Sequence, residues 1–159
     1  MCVYKSHCAI LVKFFSFTSV SKPIKILIVR FSSIGDIVLT SPVIRCLKTQ
    51  INTELHFLTK YQYHSLLINN QYLDKIYYLE NSFTETLREL KKENYDYIID
   101  LHNNIRSFFL LRLGVKMKRY YKSNFNKILN INFGLKLNNK IHTVERYMQT
   151  IKFLGVKND

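Results

Sequence analysis

Short apolar runs that alternate between strand spacing and helix spacing make up the chain from Ile24 onward. The run Ile24–Val29 is mostly β-branched and broken only by Lys25, a pattern typical of a central strand covered on both faces. A helix is predicted over about residues 36–50, with a kink or a later start at Pro42 because proline lacks the amide that a helix interior needs. The residues expected to face inward from this helix are Ile37, Leu39 or Thr40, Val43, Ile44 and Leu47.

The same alternation continues through the rest of the chain. Further strands are predicted over residues 54–58, 75–79, 95–100 and 116–121, and further helices over residues 61–68, 105–113 and about 144–154. Ser82 and Glu85 have the spacing of a capping box at the start of another helix, and Gly155 is placed to cap the last one. Strands that alternate with helices over short loops predict an α/β domain with a doubly wound, mostly parallel, Rossmann-like sheet, for which we take the strand order 3-2-1-4-5.

The regular pattern covers most of the chain but not its start. Residues 1–22 have no clear period, and we interpret them as a poorly ordered N-terminal extension; a short membrane-touching anchor is the alternative. Residues 23–155 form the predicted domain, and residues 156–159 are a short tail. A chain of 159 residues supports one domain of ordinary size.

Composition excludes several classes of protein. Apolar residues make up 47% of the chain and aromatic residues 14%, which excludes a disordered linker protein. No stretch approaches the roughly 20 apolar residues that a membrane span requires. The 3 cysteines are odd in number and lack CxxC spacing, so they suggest neither a disulfide framework nor a zinc site. We therefore expect a soluble protein of a reducing compartment.

The net charge of +13 is concentrated near the C-terminus, where residues 101–159 carry twelve basic and two acidic side chains. Such a segment attracts phosphates, carboxylates or an anionic membrane surface. The chain is also rich in Asn, Ile, Tyr and Lys, so a bias in base composition is an equally good explanation of the charge. The net charge by itself does not identify the ligand.

The two most polar loops follow the first and fourth predicted strands, over residues 30–36 and 100–107. Open α/β sheets bind ligands at the carboxyl ends of their strands, where the strand order reverses. With the order 3-2-1-4-5, both loops lie there, and they bring two carboxylates, an imidazole, two amides and an arginine to one crevice. The first loop has a single glycine, so it is neither a dinucleotide fingerprint nor a Walker loop.

Several residues of these loops have two interpretations. Asp36 is either the N-cap of the following helix or a general base that removes a proton from an attacking hydroxyl. Asn103 and Asn104 are candidate caps of the next helix, and His102 is alternatively a hydrogen-bonded structural histidine. Arg106, and Arg146 in the last helix, each lie in a first helical turn, where the helix dipole disfavours a cation, and a bound anion would relieve that conflict. For Arg146 the alternative is surface pairing with Glu145.

Four segments, taken together, resemble a known family. The first is residues 26–42, which read ILIVRFSSIGDIVLTSP, and the others are residues 54–59, 95–107 and 142–147. They are similar, in the same order, to landmarks of glycosyltransferase family 9, the heptosyltransferases of lipopolysaccharide core synthesis. The similarity covers about residues 24–155.

The resemblance implies the N-terminal half of a GT-B glycosyltransferase, in which two Rossmann-like domains face each other across a cleft. The N-terminal domain of such enzymes binds the sugar acceptor and supplies the base, and the C-terminal domain binds the nucleotide-sugar donor. The reaction is inverting and needs no metal. Asp36 matches the family's catalytic aspartate, and Arg106 and Arg146 match regions that contact the acidic acceptor.

These inferences define the predicted site and function. The catalytic residue is Asp36, and the acceptor-binding candidates are Ser32, Ser33, Gly35, His102, Asn103, Asn104, Arg106 and Arg146. The donor, ADP-heptose by the resemblance, would need a second domain, and residue 159 falls about where the family's first domain ends. We therefore expect a truncated or split protein with little transferase activity by itself, and no cofactor or metal.

The expected partners are an anionic glycolipid acceptor, a donor-binding domain or chain, and the anionic surface of the inner membrane, which the protein would touch from the cytoplasm of a bacterium. The alternative is a non-catalytic basic module that binds nucleic acid or anionic lipid, centred on residues 116–122, where basic and aromatic residues are interleaved. We do not favour nucleic acid as a partner.

Overall fold

A computed structural model describes residues 22–79, 82–120 and 142–158. Five parallel strands form one sheet in the order β3-β2-β1-β4-β5, which confirms the predicted fold class and strand order. The strands are β1 Ile24–Val29, β2 Thr53–Thr59, β3 Lys75–Tyr78, β4 Tyr97–Asp100 and β5 Lys116–Arg119. No helix within these three ranges is long and apolar enough to span a bilayer.

Six α-helices lie among the described residues: α1 Ile34–Val38, α2 Ser41–Gln50, α3 His64–Leu67, α4 Phe83–Lys92, α5 Ile105–Phe108 and α6 Thr143–Ile151. Three 3-10 turns adjoin them, at Tyr61–Tyr63, Phe109–Leu113 and Lys152–Leu154. The predicted N-terminal extension lies outside the described residues except for Lys22.

Each face of the sheet packs against its own helices. Side chains alternate along β1, so Ile26 and Ile28 pack in one core with α2 and α6, whereas Leu27 and Val29 pack in the other with α4. All four are completely buried, and burial of such a side chain contributes about 1.5–3 kcal/mol. The strand is apolar on both faces, as the sequence predicts for the centre of a doubly covered sheet.

Pro42 divides the predicted helix of residues 36–50 into α1 and α2. It lies in the first turn of α2, where a missing amide costs no hydrogen bond. Thr40 is buried at the junction, and its hydroxyl donates to the carbonyl of Ile37 at 2.6 Å. The predicted break at Pro42 is therefore confirmed. It leaves α1 as a separate short helix that directly follows the polar loop.

Other boundaries differ from the predictions in detail. The helices predicted over residues 61–68 and 105–113 are each part α-helix and part 3-10 helix. The amide of Glu85 donates to the Ser82 hydroxyl at 3.3 Å, which is one half of the predicted capping box. Gly155 has a φ of +77° and ends the last helix, as predicted.

Candidate functional site

The loops after β1 and β4 lie side by side at the carboxyl edge of the sheet. Val29 pairs with Asp100 in the parallel register, and the amide of Leu101 donates to the carbonyl of Val29 at 3.1 Å. The Phe31 and His102 rings meet edge to face with their centroids 5.1 Å apart. The two loops therefore share one place in the fold, as their positions after neighbouring strands predict.

An open cavity of about 450 Å³ lies between these loops. It is lined by Phe31, Ser32, Lys60, His102, Asn104, Ile105 and Arg106. Four of the predicted site residues are thus brought together on one cavity: Ser32, His102, Asn104 and Arg106. Lys60, which directly follows β2, supplies a second cation that the sequence analysis missed; its position after a third strand of the same sheet was the available signal.

Asp36 lies in the first turn of α1 and takes part in its capping box, but it is not the N-cap. Ser33 is the N-cap and Asp36 is the third residue of the helix, so the interpretation of Asp36 as the N-cap residue is wrong, although its side chain does cap the Ser33 amide. The Ser33 amide and hydroxyl donate to the Asp36 carboxylate at 3.3 Å and 3.1 Å. The Asp36 side chain retains 35% of its accessible surface, which leaves the carboxylate open to solvent and to a ligand.

Arg30 connects the Asp36 carboxylate to both loops. Its Nε donates to the Ser32 carbonyl at 2.6 Å, one terminal nitrogen donates to the Leu101 carbonyl, and the other forms an ion pair with Asp36. The guanidinium also lies over the ring of Tyr147 in α6, 5.8 Å from its centroid. Arg30 itself is buried, and a cation at the end of a buried strand was the sequence signal for its role.

The pKa of the Asp36 carboxyl lies below its ordinary value. Burial raises this pKa, but the hydrogen bonds from Ser33 and the charge of Arg30 outweigh burial and favour the ionised form. Burial also raises the pKa of the neighbouring Tyr147 to about 12, so that phenol stays neutral near pH 7. The site therefore presents one ionised carboxylate beside a neutral hydroxyl.

Asp100 is a buried carboxylate that holds the loop after β4 in place. It is completely buried and accepts hydrogen bonds from the His102 amide at 3.0 Å, the Asn103 amide at 2.9 Å and the Ser107 hydroxyl at 2.6 Å. Arg119 of β5 approaches the same carboxylate at 3.4 Å. The expectation that two carboxylates converge on the crevice is thus wrong for Asp100, because both of its carboxylate oxygens accept hydrogen bonds from its own loop.

The two asparagines have different roles. Asn104 caps α5 as predicted: its side chain accepts from the Ser107 amide at 2.8 Å, while the Ser107 hydroxyl accepts from the Asn104 amide at 3.0 Å. Asn103 is not a cap. It has a φ of +49°, and its side-chain nitrogen donates to the Tyr120 carbonyl at 2.9 Å, which ties the loop to the end of β5.

Five predicted site residues lie away from the cavity lining: Ser33, Gly35, Asp36, Asn103 and Arg146. The prediction that Asp36 lines the same pocket as His102 and Arg106 is therefore wrong for this cavity, and Arg30 is what connects Asp36 to the cavity wall. Ser33 and Gly35 are exposed on the α1 side, next to Asp36. Arg146 is half-buried in the first turn of α6 and does not line the cavity. It is adjacent in the chain to Tyr147, which reaches Arg30, so α6 approaches the Asp36 side of the site.

Glu54, His56 and Glu93 are the groups most like a metal site among the described residues, with ligand atoms within 4.8 Å of one another. Lys25 lies 2.9 Å from both carboxylates, and Lys75 lies 2.7 Å from Glu93. These ammonium groups already neutralise the carboxylates, so we assign the cluster to an ion-pair network.

The basic run at residues 116–122 is partly engaged within the chain. Lys118 lies over the Phe153 ring at 5.0 Å from its centroid, and Arg119 contacts Asp100 and lies over the Phe108 ring. Residues 121 and 122 lie outside the described residues.

A doubly wound parallel sheet with its polar loops at the carboxyl edge is the Rossmann-like α/β architecture of a GT-B glycosyltransferase half. Two solved structures with this architecture are similar to the chain. The glycosyltransferase family 9 protein from Veillonella parvula has a TM-score of 0.65 at 18% identity, over 85% of this chain and 42% of that chain. The E. coli heptosyltransferase WaaC with ADP has a TM-score of 0.61 at 18% identity, over 86% of this chain and 49% of that chain.

The resemblance to glycosyltransferase family 9 is confirmed over part of the chain. Residues 83–157 match the model of that family, described as glycosyltransferase family 9 (heptosyltransferase). Lipopolysaccharide heptosyltransferase 1 from Campylobacter coli is 28% identical over 127 residues, which cover 69% of this chain and 37% of that protein. The chain thus spans less than half the length of the curated relative that it matches.

Proposed function

We propose that this chain is the acceptor-binding half of a heptosyltransferase-like, inverting glycosyltransferase of lipopolysaccharide core synthesis. The observation that carries the proposal is the Arg30 junction, because it joins an ionised, solvent-open Asp36 to Ser32 on the wall of a cavity that also carries Arg106. A base and an anion-binding wall are the two parts that transfer to an acidic sugar acceptor requires from this half.

Asp36 is the proposed general base. The acceptor hydroxyl gives its proton to the Asp36 carboxylate while its oxygen attacks the anomeric carbon of the donor, and the nucleoside diphosphate leaves with the electrons of the broken bond. The Asp36 carboxylate is ionised at neutral pH and can accept that proton, while its lowered pKa makes it a weaker base than an ordinary aspartate. The donor, proposed as ADP-heptose, is held by a donor-binding domain, and no metal takes part.

The cavity is the proposed acceptor site. Arg106 and Lys60 offer cations to carboxylates or phosphates of the acceptor, and Ser32, His102 and Asn104 offer polar groups that suit sugar hydroxyls. We propose that Ser33 and Gly35 border the acceptor beside Asp36, that Asn103 holds the loop in place, and that Arg146 makes a further contact from α6. The reaction then takes place at the cytoplasmic face of the inner membrane.

Acceptor binding and transfer test the proposal separately. We expect Arg106→Gln to weaken binding of a lipid A–sugar acceptor by about tenfold or more, because it removes a charge-assisted hydrogen bond. Arg88→Gln, on the exposed side of α4, is the matched control and leaves binding unchanged. Asp36→Asn retains acceptor binding but abolishes transfer from ADP-heptose when the chain is joined to the donor domain of a family member.

Two results would contradict the proposal. One is transfer that survives Asp36→Asn. The other is tight RNA binding that weakens steeply with salt and ignores both Asp36→Asn and Arg106→Gln, which would support the nucleic-acid module instead.

A further inference from the structure

The segment 105–113 presents apolar side chains to solvent next to the cavity. Ile105 is 80% exposed and Phe108 54% exposed, and Phe109 and Leu111 are also among the most exposed apolar residues described. We call these four residues the α5 face. Ser107 and Leu110 of the same segment are completely buried, so the α5 face is the outer side of a firmly anchored helical turn. Contiguous exposed apolar side chains mark interaction surfaces.

Cations surround the α5 face. Arg106 and Arg112 are exposed within the same segment, and residues 101–120 contain five basic and no acidic side chains. Arg119 places its guanidinium 4.9 Å from the centroid of the Phe108 ring, which holds positive charge at the edge of the apolar surface. Arg106 and Arg112 adjoin Ile105 and Leu111 in the chain and Arg119 contacts Phe108, and we call these three arginines the basic rim of the α5 face.

This combination fits an anionic lipid surface better than it fits nucleic acid. Segments that lie in the membrane interface insert aliphatic and aromatic side chains below the headgroups, while arginines stay at headgroup level beside phosphates. Ile105 and Leu111 have no ring on which a base stacks, whereas both partition into an acyl layer. Every residue of the α5 face and its basic rim would contact such a bilayer, the apolar side chains in the acyl layer and the arginines at the headgroups.

We propose that the α5 face docks the protein on an anionic bilayer. The inference rests on the proposed function in one respect: Ile105 and Arg106 also line the cavity, so docking through this face holds the cavity at the headgroup level, where a lipid-linked acceptor presents its sugars. The lipid-linked acceptor then reaches the cavity without leaving the membrane.

Vesicle partitioning of the full chain tests the proposal. Vesicles of phosphatidylethanolamine with phosphatidylglycerol should bind the protein, and vesicles of phosphatidylcholine should bind it weakly. The double variant Phe108→Ser/Leu111→Ser should lower the partition coefficient by about tenfold or more, because two inserted apolar side chains are lost. Arg112→Gln should lower it by about fivefold on the anionic vesicles alone.

A matched control uses exposed apolar residues elsewhere. Leu66 and Ile68 are 40% and 52% exposed on and just after α3, and Leu66→Ser/Ile68→Ser should leave partitioning unchanged. Thermal unfolding of both double variants verifies that the fold is retained, which is expected because the four side chains are exposed.

Partitioning that is equal in wild type and Phe108→Ser/Leu111→Ser would overturn the proposal, and so would a change in oligomeric state without any change in partitioning. Binding of a soluble, delipidated acceptor distinguishes failure of docking from failure of the proposed function. If Phe108→Ser/Leu111→Ser, neither of which lines the cavity, loses vesicle binding and keeps that acceptor, docking is supported separately from acceptor binding. If the wild-type chain binds the acceptor but not the vesicles, docking alone fails.

Discussion

At the scale of single residues, Arg30 decides the state of Asp36. Four groups meet at this guanidinium: two carbonyls, one carboxylate and one aromatic ring. Because Arg30 is buried, its charge acts on Asp36 with less screening by solvent than an exposed pair would have. Arg30 is therefore a positioning residue for the proposed base, and it is fixed by contacts on three separate elements.

We predict that Arg30→Met raises the pKa of the Asp36 carboxyl, because the variant removes a cation while the effect of burial stays. Titration of the side-chain carboxyl carbons by NMR measures this pKa without any assay of activity. Arg88→Met, which removes an exposed cation from α4, is the control and should leave the pKa of Asp36 where it is. An unchanged Asp36 titration in Arg30→Met would refute the role of the ion pair.

At the scale of elements, α5 and the loop before it depend on one buried carboxylate. Ser107 binds Asp100 through its hydroxyl and also completes the capping box with Asn104, so a single side chain fixes both the loop and the helix start. Cap positions were predictable from sequence only to within a few residues. Asn104 and Ser82 were correct, whereas Asp36 belongs to the third position of its helix and Asn103 to the loop, because the same residue types serve all of these positions.

Ser107→Ala should lower the free energy of unfolding by about 1–3 kcal/mol, since it leaves a buried oxygen of Asp100 without its hydroxyl donor. Chemical denaturation at neutral pH measures the change. Ser41→Ala, at an exposed position in the first turn of α2, should change stability by less than about 0.5 kcal/mol. Equal stability of the two variants would argue against the bridging role of Ser107.

At the scale of the whole molecule, the network of Glu93, Lys25, Lys75 and His56 links fold stability to pH. The hydrogen bond from Lys75, with those from Tyr77 and Lys25, holds the pKa of Glu93 well below its usual range. Burial lowers the pKa of His56, so the folded state favours the neutral ring. In both cases the unfolded chain binds protons more readily, and stability therefore falls as the pH drops.

We expect the free energy of unfolding to decrease first below about pH 6.5, where unfolded histidine gains its proton, and more steeply below about pH 4.3, where unfolded glutamate does. Glu93→Gln should be less stable at neutral pH and should show a shallower loss in the acid range. Denaturant unfolding at a series of pH values gives both slopes. Glu89→Gln, exposed on α4 one turn before Glu93, should follow the wild type, and a loss of stability in acid that parallels the wild type in Glu93→Gln would contradict the assignment.

Apolar periodicity along the chain was enough to predict a parallel sheet covered on both faces. The strand order 3-2-1-4-5 was assumed from among those that right-handed crossovers allow, and the structure confirms it, with the loops of β1 and β4 at one edge. Which side chains face the cavity became clear only from the packing of strands and helices against one another. Asp100 turns inward, Lys60 joins from β2, and Arg30 links three elements, because such neighbours come from strands far apart in the chain and no local spacing encodes their contacts.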